Sequence, residues 1–243
     1  MDPLKTKFYY VEPNFLSQNI SVIIDKGITT KYKQRSQQLF RKIAERIYNV
    51  SKCVPYNIGI FFSSYAVLLP TLEVFSSFKV NRPIFKESPD LSLKDANELC
   101  EKFKESKEKG GILFGVQGGR FSEGENFLND EMRAVVIVGL SLPPPTKRLF
   151  ITMSYIKKNY PQNAFLVAML DPAVKKAVQA AGRITRSNLP SIVLMLDSRF
   201  GSSLVLEMLP KWMKRRLILT NLDGCLLERA FTQLSPHFYE QSK

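Results

Sequence analysis

The sequence predicts an α/β fold, a mainly parallel sheet flanked by helices. Short apolar runs alternate with helical patterns along most of the 243 residues, which is the rhythm of that class. Strands separated by helices imply right-handed crossovers, and these make neighbouring strands parallel. The composition, 44% hydrophobic and 23% charged, is that of an ordinary folded chain and excludes a disordered or fibrous one.

The elements follow in order. Ile20–Asp25 (ISVIID) is the first strand, closed by Lys26-Gly27. From Thr30 to Val50 the chain reads as one amphipathic helix, because Leu39, Ile43, Ile47 and Val50 recur at spacings of three or four. Its other face carries Lys31, Lys33, Arg35, Arg41, Lys42 and Arg46, a solvated face or a surface for phosphates. Ile58–Ser63 (IGIFFS) suits a strand buried on both sides. Ser64–Ser77 reads as helix and Pro83–Lys86 as a short strand. Ser92 can N-cap a polar helix that Gly110-Gly111 ends. Gly111–Val116 is a buried strand, Gln117–Asp130 a glycine-rich loop and Arg133–Leu140 a strong strand stopped by three prolines. Lys147–Lys158 is helical. Asp171-Pro172 opens another helix, with Asp171 as N-cap, that runs to about Ser187. Ser191–Asp197 is the last clear strand, and Leu204–Leu209 a short helix before Pro210.

Charge narrows the partners. Lys and Arg number 35 against 22 acidic residues, a net charge of +13. That favours an acidic substrate, a polyanion or an anionic surface, with nucleic acid the commonest of these. No apolar run reaches the roughly 18–20 residues that cross a bilayer, and MDPLKTKFYY contains no signal-peptide core. Cys53, Cys100 and Cys225 lie far apart and form no CxxC pair, which points to a reducing, intracellular setting. One histidine, His237, argues against histidine-based metal or triad chemistry, and no metal site is expected.

Two polar stretches fall where a parallel sheet gathers ligands, after strand C-termini. In the first, Gly118 to Phe127, glycines allow close approach of backbone to a phosphate, and the plain alternative is a mobile loop. In the second, Gln179 to Arg186, residues 179, 183 and 186 fall within about 60° of one another on a helix. A glycine at 182 costs a helix about 1 kcal/mol, so close packing is the simple reason to keep it. Two guanidinium groups on one stripe suit a triphosphate, or else form a solvated basic face. No G-x-x-x-x-G-K run followed by Ser or Thr occurs, so the standard phosphate loop is missing.

Together these stretches resemble the second RecA-like (P-loop NTPase-type) motor domain of superfamily 2 helicases, most closely the XPD branch that includes DinG-like enzymes. Ile58–Tyr65 (IGIFFSSY) is similar to motif IV, Gly118–Phe127 to motif V (S-E-G-x-D-F), and Gln179–Arg186 to motif VI (Q-x-x-G-R-x-x-R). Asp197–Phe200 and Leu209–Trp212 resemble the D-x-R-F and L-P-x-W that follow. Two positions depart from the pattern: Asn126 stands for the motif V aspartate, and Gly118 for a residue more often arginine.

The resemblance implies a domain over 19–216, an N-terminal extension over 1–18 and a tail over 217–243. It implies ATP and Mg2+ shared with a missing first motor domain that carries the P-loop, in cis or in trans, and no iron–sulfur cluster in this chain. Arg183, Arg186 and Gln179 would be catalytic. Glu123, Gly124, Asn126 and Gly182 would contact ATP, and Ser63, Ser64, Tyr65 and Arg120 single-stranded DNA. The activity implied is ATP hydrolysis coupled to translocation in DNA repair, with no turnover by this chain alone and no membrane partner. The alternative is a non-enzymatic single-stranded nucleic-acid-binding or regulatory module with vestigial motifs. A scaffold role for Pro143–Pro145 has only composition behind it. Trp212 is a core anchor or a stacking platform.

Overall fold

A computed structural model describes residues 19–128, 131–185 and 189–221 of the protein. The strands are β1 (Ile20–Asp25), β2 (Ile58–Phe62), β3 (Ile84–Lys86), β4 (Ile112–Val116), β5 (Ala134–Val138), β6 (Ser191–Leu196) and β7 (Leu217–Thr220). They form one 7-stranded sheet in the order β3-β4-β2-β5-β6-β1-β7. Every neighbouring pair is parallel. The helices are α1 (Gln37–Cys53), α2 (Tyr65–Phe75), α3 (Leu93–Glu105), α4 (Arg120–Glu123), α5 (Lys147–Asn159), α6 (Asp171–Ala181), α7 (Ser203–Met208) and α8 (Lys211–Lys214).

The central strands are apolar throughout because both faces of the sheet are covered. On one face Ile23, Ile60, Phe62, Phe114, Val136 and Leu194 pack with Leu39, Ile43 and Ile47 of α1 and Val67, Leu68 and Phe75 of α2. On the other, Val22, Ile24, Phe61, Leu113, Ile137 and Met195 pack with Phe103 of α3, Ala173, Ala177 and Ala180 of α6, and Val205. Each fully buried Val, Leu, Ile or Phe contributes roughly 1.5–3 kcal/mol. Trp212 is partly buried against the second cluster, so it anchors the core.

The structure departs from the sequence reading in several places, besides the short helix Arg120–Glu123 inside the segment read as a loop. First, the helix expected from Thr30 starts at Gln37: Ser36 Oγ accepts from Leu39 N–H, and Thr30 is drawn away to Asp197. Second, Asp171 is not an N-cap. The helix enters through a π turn, Leu166–Leu170, and Asp171 pairs with Lys175 at 2.7 Å inside a continuous helical run. Third, α6 ends at Ala181 and tightens into a 3-10 turn over Gly182–Ile184, so the regular stripe through 179 and 183 is broken. Fourth, Leu217–Thr220, assigned to the tail, adds to the sheet as β7 beside β1. It is a half-exposed edge strand without clean alternation, which left no pattern to read.

Candidate functional site

The candidate polar groups do not all follow strand C-termini: the loop after β4 does, whereas Gln179 and Arg183 close α6 on the stretch that returns to the start of β6. The loop after β4 begins with Gln117. Its backbone N–H extends the ladder to Phe62, and its side-chain amide donates to the carbonyls of Phe61 (3.2 Å) and Gly139 (2.8 Å). One side chain thereby ties together the ends of β4, β2 and β5. Gly118 then turns at φ +79°, a left-handed conformation that favours glycine. The side chain of Lys176, from α6, lies across it: a Cβ at 118 would stand 3.2 Å from Lys176 Nζ. A basic group from a neighbouring helix therefore lies beside 118, where the motif more often carries arginine. Nothing in the spacing of Lys176 marks it for this place.

Arg120 opens α4, with Gly119 in the capping position. Its N–H donates to Glu87 Oε1 (3.1 Å) and its guanidinium to the carbonyl of Ser92 (3.1 Å). Tyr65 and Arg120 line one cavity of about 180 Å³, with Glu87, Ser88, Leu91 and Phe121. Two of the four expected strand-binding residues are thus brought together from α2 and α4. Ser63 and Ser64 adjoin them at the end of β2; the Ser63 carbonyl accepts from Ser141 Oγ (3.1 Å). Tyr65 is pushed up to about 12 by burial and by the nearby Glu87 and Asp90 charges. It stays a neutral hydroxyl donor across the physiological range.

A second crevice, of about 390 Å³, is lined by Glu125, Asn126, Phe127, Gln179, Gly182, Arg183 and Thr185. Phe127 is buried edge-on against Phe103 and pins the loop. Arg183 donates from Nε to the Ser122 carbonyl (2.8 Å) and from its terminal nitrogen to the Glu125 carbonyl. The motif VI arginine therefore grips the motif V loop. Gly182 is not there for close packing: a Cβ on it would meet nothing within 4 Å, so the residue opens onto free space. Gln179 is exposed on the same wall. Glu123 and Gly124 stand exposed at the end of α4 and line neither crevice. Arg186 lies outside the described residues. Cys100, behind the loop, is pushed up to about 12 by burial and then by the Glu125 carboxylate.

A third group was visible only as a D-x-R-F string. Asp197 is fully buried after β6 and accepts from Thr30 N–H (2.9 Å), Thr30 Oγ1 (2.8 Å), and Arg199 Nε and terminal nitrogen (2.8 Å each). Burial pushes its carboxyl up, but the Arg199 and Thr30 donors outweigh that and hold it below the ordinary value. This network stitches β6 to the segment after β1, beside Gly139, where a Cβ would stand 2.4 Å from Thr30 Oγ1.

Among the described residues no group of three or more His, Cys, Asp or Glu could hold a metal ion, and no helix is long and apolar enough to cross a membrane.

Comparison with known proteins agrees with this geometry. Residues 47–216 match the helicase C-terminal domain family. The chain is 30% identical over 226 residues to the ATP-dependent DNA helicase CHL1 of Candida albicans, covering 81% of this chain and 26% of that protein. It is 29% identical over 189 residues to the regulator of telomere elongation helicase 1 homolog of Drosophila yakuba, covering 72% of this chain and 19% of that protein. A solved XPD helicase superposes with a TM-score of 0.64 at 25% identity, over 83% of this chain and 35% of that one. The C-terminal domain of the DEAD-box protein Dbp5, at 13% identity and a TM-score of 0.51, shares the fold alone. The chain spans about a quarter or less of the length of these curated relatives. It belongs to the helicase C-terminal domain family and carries a second RecA-like motor domain of the XPD-like branch.

Proposed function

We propose that this chain acts as the second motor half of an XPD-like, ATP-dependent DNA helicase. Its fuel pocket is completed by a first motor domain that carries the P-loop, in cis or in trans. The observation behind this reading is the crevice that gathers Gln179, Gly182 and Arg183 beside Asn126. A guanidinium, an exposed amide and open space at a glycine, beside the single acid Glu125, suit a triphosphate that approaches from outside the chain. Phosphoryl transfer asks little covalent chemistry of a protein; positioning and charge stabilisation dominate. The Ser122 and Glu125 carbonyls fix the Arg183 guanidinium at the crevice wall, and closure of the two halves presents it to the γ-phosphate, with Arg186, three residues on in the sequence, as the second arginine. Mg2+ neutralises phosphate charge when bound. Gln179 orients the phosphate end.

Ser64, Tyr65 and Arg120 form part of the single-strand track, through hydroxyl and guanidinium contacts to phosphates and one aromatic ring for stacking, while the Ser63 hydroxyl, expected there too, is buried. Alternate closure and opening of the cleft then moves the strand. The test is reconstitution. The chain alone shows negligible ATPase, and adding the P-loop domain restores DNA-stimulated turnover that Arg183→Ala removes. Robust turnover by the chain alone, lost in Arg183→Ala, overturns the half-motor reading.

Asn126 favours a second reading, a strand-binding or regulatory module whose motor motifs no longer turn over. Its amide lines the crevice where the motif carries a carboxylate. Salt-sensitive oligonucleotide binding without reconstituted ATPase, and without effect of Arg183→Ala, selects it.

A further inference from the structure

We propose that Glu87 is a positioning residue for this site: its carboxylate sets the loop that carries Arg120 and receives Arg183. The inference rests on the strand track and crevice just described. Glu87 follows edge strand β3, and its own N–H donates to the Phe114 carbonyl (2.8 Å), which holds the backbone in register. Its side chain turns across β4. Oε2 accepts from Val116 N–H at 2.9 Å and Oε1 from Arg120 N–H at 3.1 Å. The carboxylate therefore bridges the last residue of β4 and the first of α4, spanning the whole turn between them.

The glycines around it are shaped to this group. A Cβ on Gly115 would lie 2.7 Å from Oε2, and one on Gly119 would lie 2.6 Å from Oε1. Both distances are shorter than real Cβ contacts allow, so either side chain would expel the carboxylate. Gly119, in the stretch whose glycines the sequence offers to an incoming phosphate, and Gly115, inside β4, instead make room for an acid of the chain's own.

From this bridge the loop runs to both working surfaces. Arg120 reaches the Ser92 carbonyl and the Tyr65 cavity. Ser122 Oγ donates back to the Gly119 carbonyl (3.0 Å), and the Ser122 carbonyl accepts from Arg183. A shift at Glu87 is thus passed through backbone to the strand-facing arginine and to the crevice-facing one.

The bridge is also sensitive to protonation. Burial pushes the Glu87 carboxyl up, against the two N–H donors and the Arg120 charge that pull it down, and burial wins. The charged and titratable groups around it are Arg120 on α4, Tyr65 on α2 and Asp90 in the loop that follows, with Lys176 of α6 beyond Gly118. Protonation starts above the pH at which an ordinary carboxylic acid gains its proton, and it turns one acceptor toward an N–H as a donor.

The test uses the full chain and Glu87→Gln, which keeps size and sets an NH2 group against one of the two N–H donors. Binding of a fluorescent oligo-dT is measured at low salt from pH 8 to 5, with amide exchange followed by mass spectrometry. Glu87→Gln binds roughly tenfold more weakly at pH 8, the loss of one charge-assisted hydrogen bond. Wild-type affinity falls toward the variant's as pH drops, while the variant's profile is flatter. Combining it with Arg120→Ala costs less than the sum of the two losses. Exchange rises over 116–125 and stays unchanged in β2 and β5. Equal exchange of 116–125 in wild type and variant, or full additivity with Arg120→Ala, overturns the role of Glu87. Failure of the wild type to bind oligo-dT overturns the strand-track reading instead, and exchange then still decides whether Glu87 sets the loop.

Discussion

Arg183 and Ser122, 61 residues apart in the chain, are joined by a 2.8 Å bond from the guanidinium Nε to a main-chain carbonyl. The arginine of one motif and the loop of another are therefore one mechanical unit. A movement of either is felt at the other.

The first prediction follows from that bond. Arg183→Ala removes a donor from two partly buried carbonyls and costs about 1–3 kcal/mol of stability, read as a lowered melting temperature. Its effect on a reconstituted motor is far larger, about 10³–10⁵ in turnover if the side chain acts as an arginine finger. A turnover loss no greater than the stability loss explains would leave Arg183 a loop clamp and nothing more.

Gly182→Ala separates packing from function. The backbone at 182 has φ −65° and the space for a Cβ is open. Alanine there stabilises the chain by about 0.4–1 kcal/mol, because the unfolded chain loses freedom. If the crevice takes a triphosphate as proposed, nucleotide affinity of the reconstituted motor falls although melting temperature rises. A destabilised variant would contradict the open space at 182.

Arg199→Ala leaves Asp197 buried without its cation. The expected cost is about 3–5 kcal/mol, by chemical denaturation at neutral pH. The sign of the pH dependence is set by the lowered carboxyl of Asp197. Its stabilisation is present above the ordinary aspartate value, near pH 4, and is lost as pH falls through the lower folded-state value. Wild type therefore loses this contribution only below about pH 4. In Arg199→Ala it is already absent at pH 7, so the two stability profiles converge in acid.

Lys176→Ala tests the ammonium laid across Gly118. If Lys176 meets a strand phosphate, removing it lowers the slope of log affinity against log salt by about 0.7, one contact on a single strand. Fluorescence titrations at several salt concentrations measure this. An unchanged slope makes Lys176 a cover for the turn. Gly118→Ala is a separate control: at φ +79° it costs about 1–2 kcal/mol whatever Lys176 does.

Much of this architecture is legible in the primary structure. Ile20–Asp25 and Ser191–Leu196 are strands because their apolar runs are unbroken and bounded by turn residues. Ser92 and Gly110 mark the limits of one helical segment through capping and a positive φ, both local properties. The order of the three motif-like stretches identifies the branch, since order survives where single residues drift. Leu217–Thr220 was illegible because a short, half-exposed edge strand is made by its neighbour and not by its own pattern.

The partners of the polar groups belong to another level. Glu87 with Arg120, Thr30 with Asp197 and Gln117 with Gly139 are 33, 167 and 22 residues apart. No window along the chain contains such a pair. Periodicity reports which face of an element is apolar, and caps report where it ends, because both act over a few residues. Which buried carboxylate meets which N–H depends on how seven strands order themselves, and that order puts Glu87, just past an edge strand, under the loop of its neighbour.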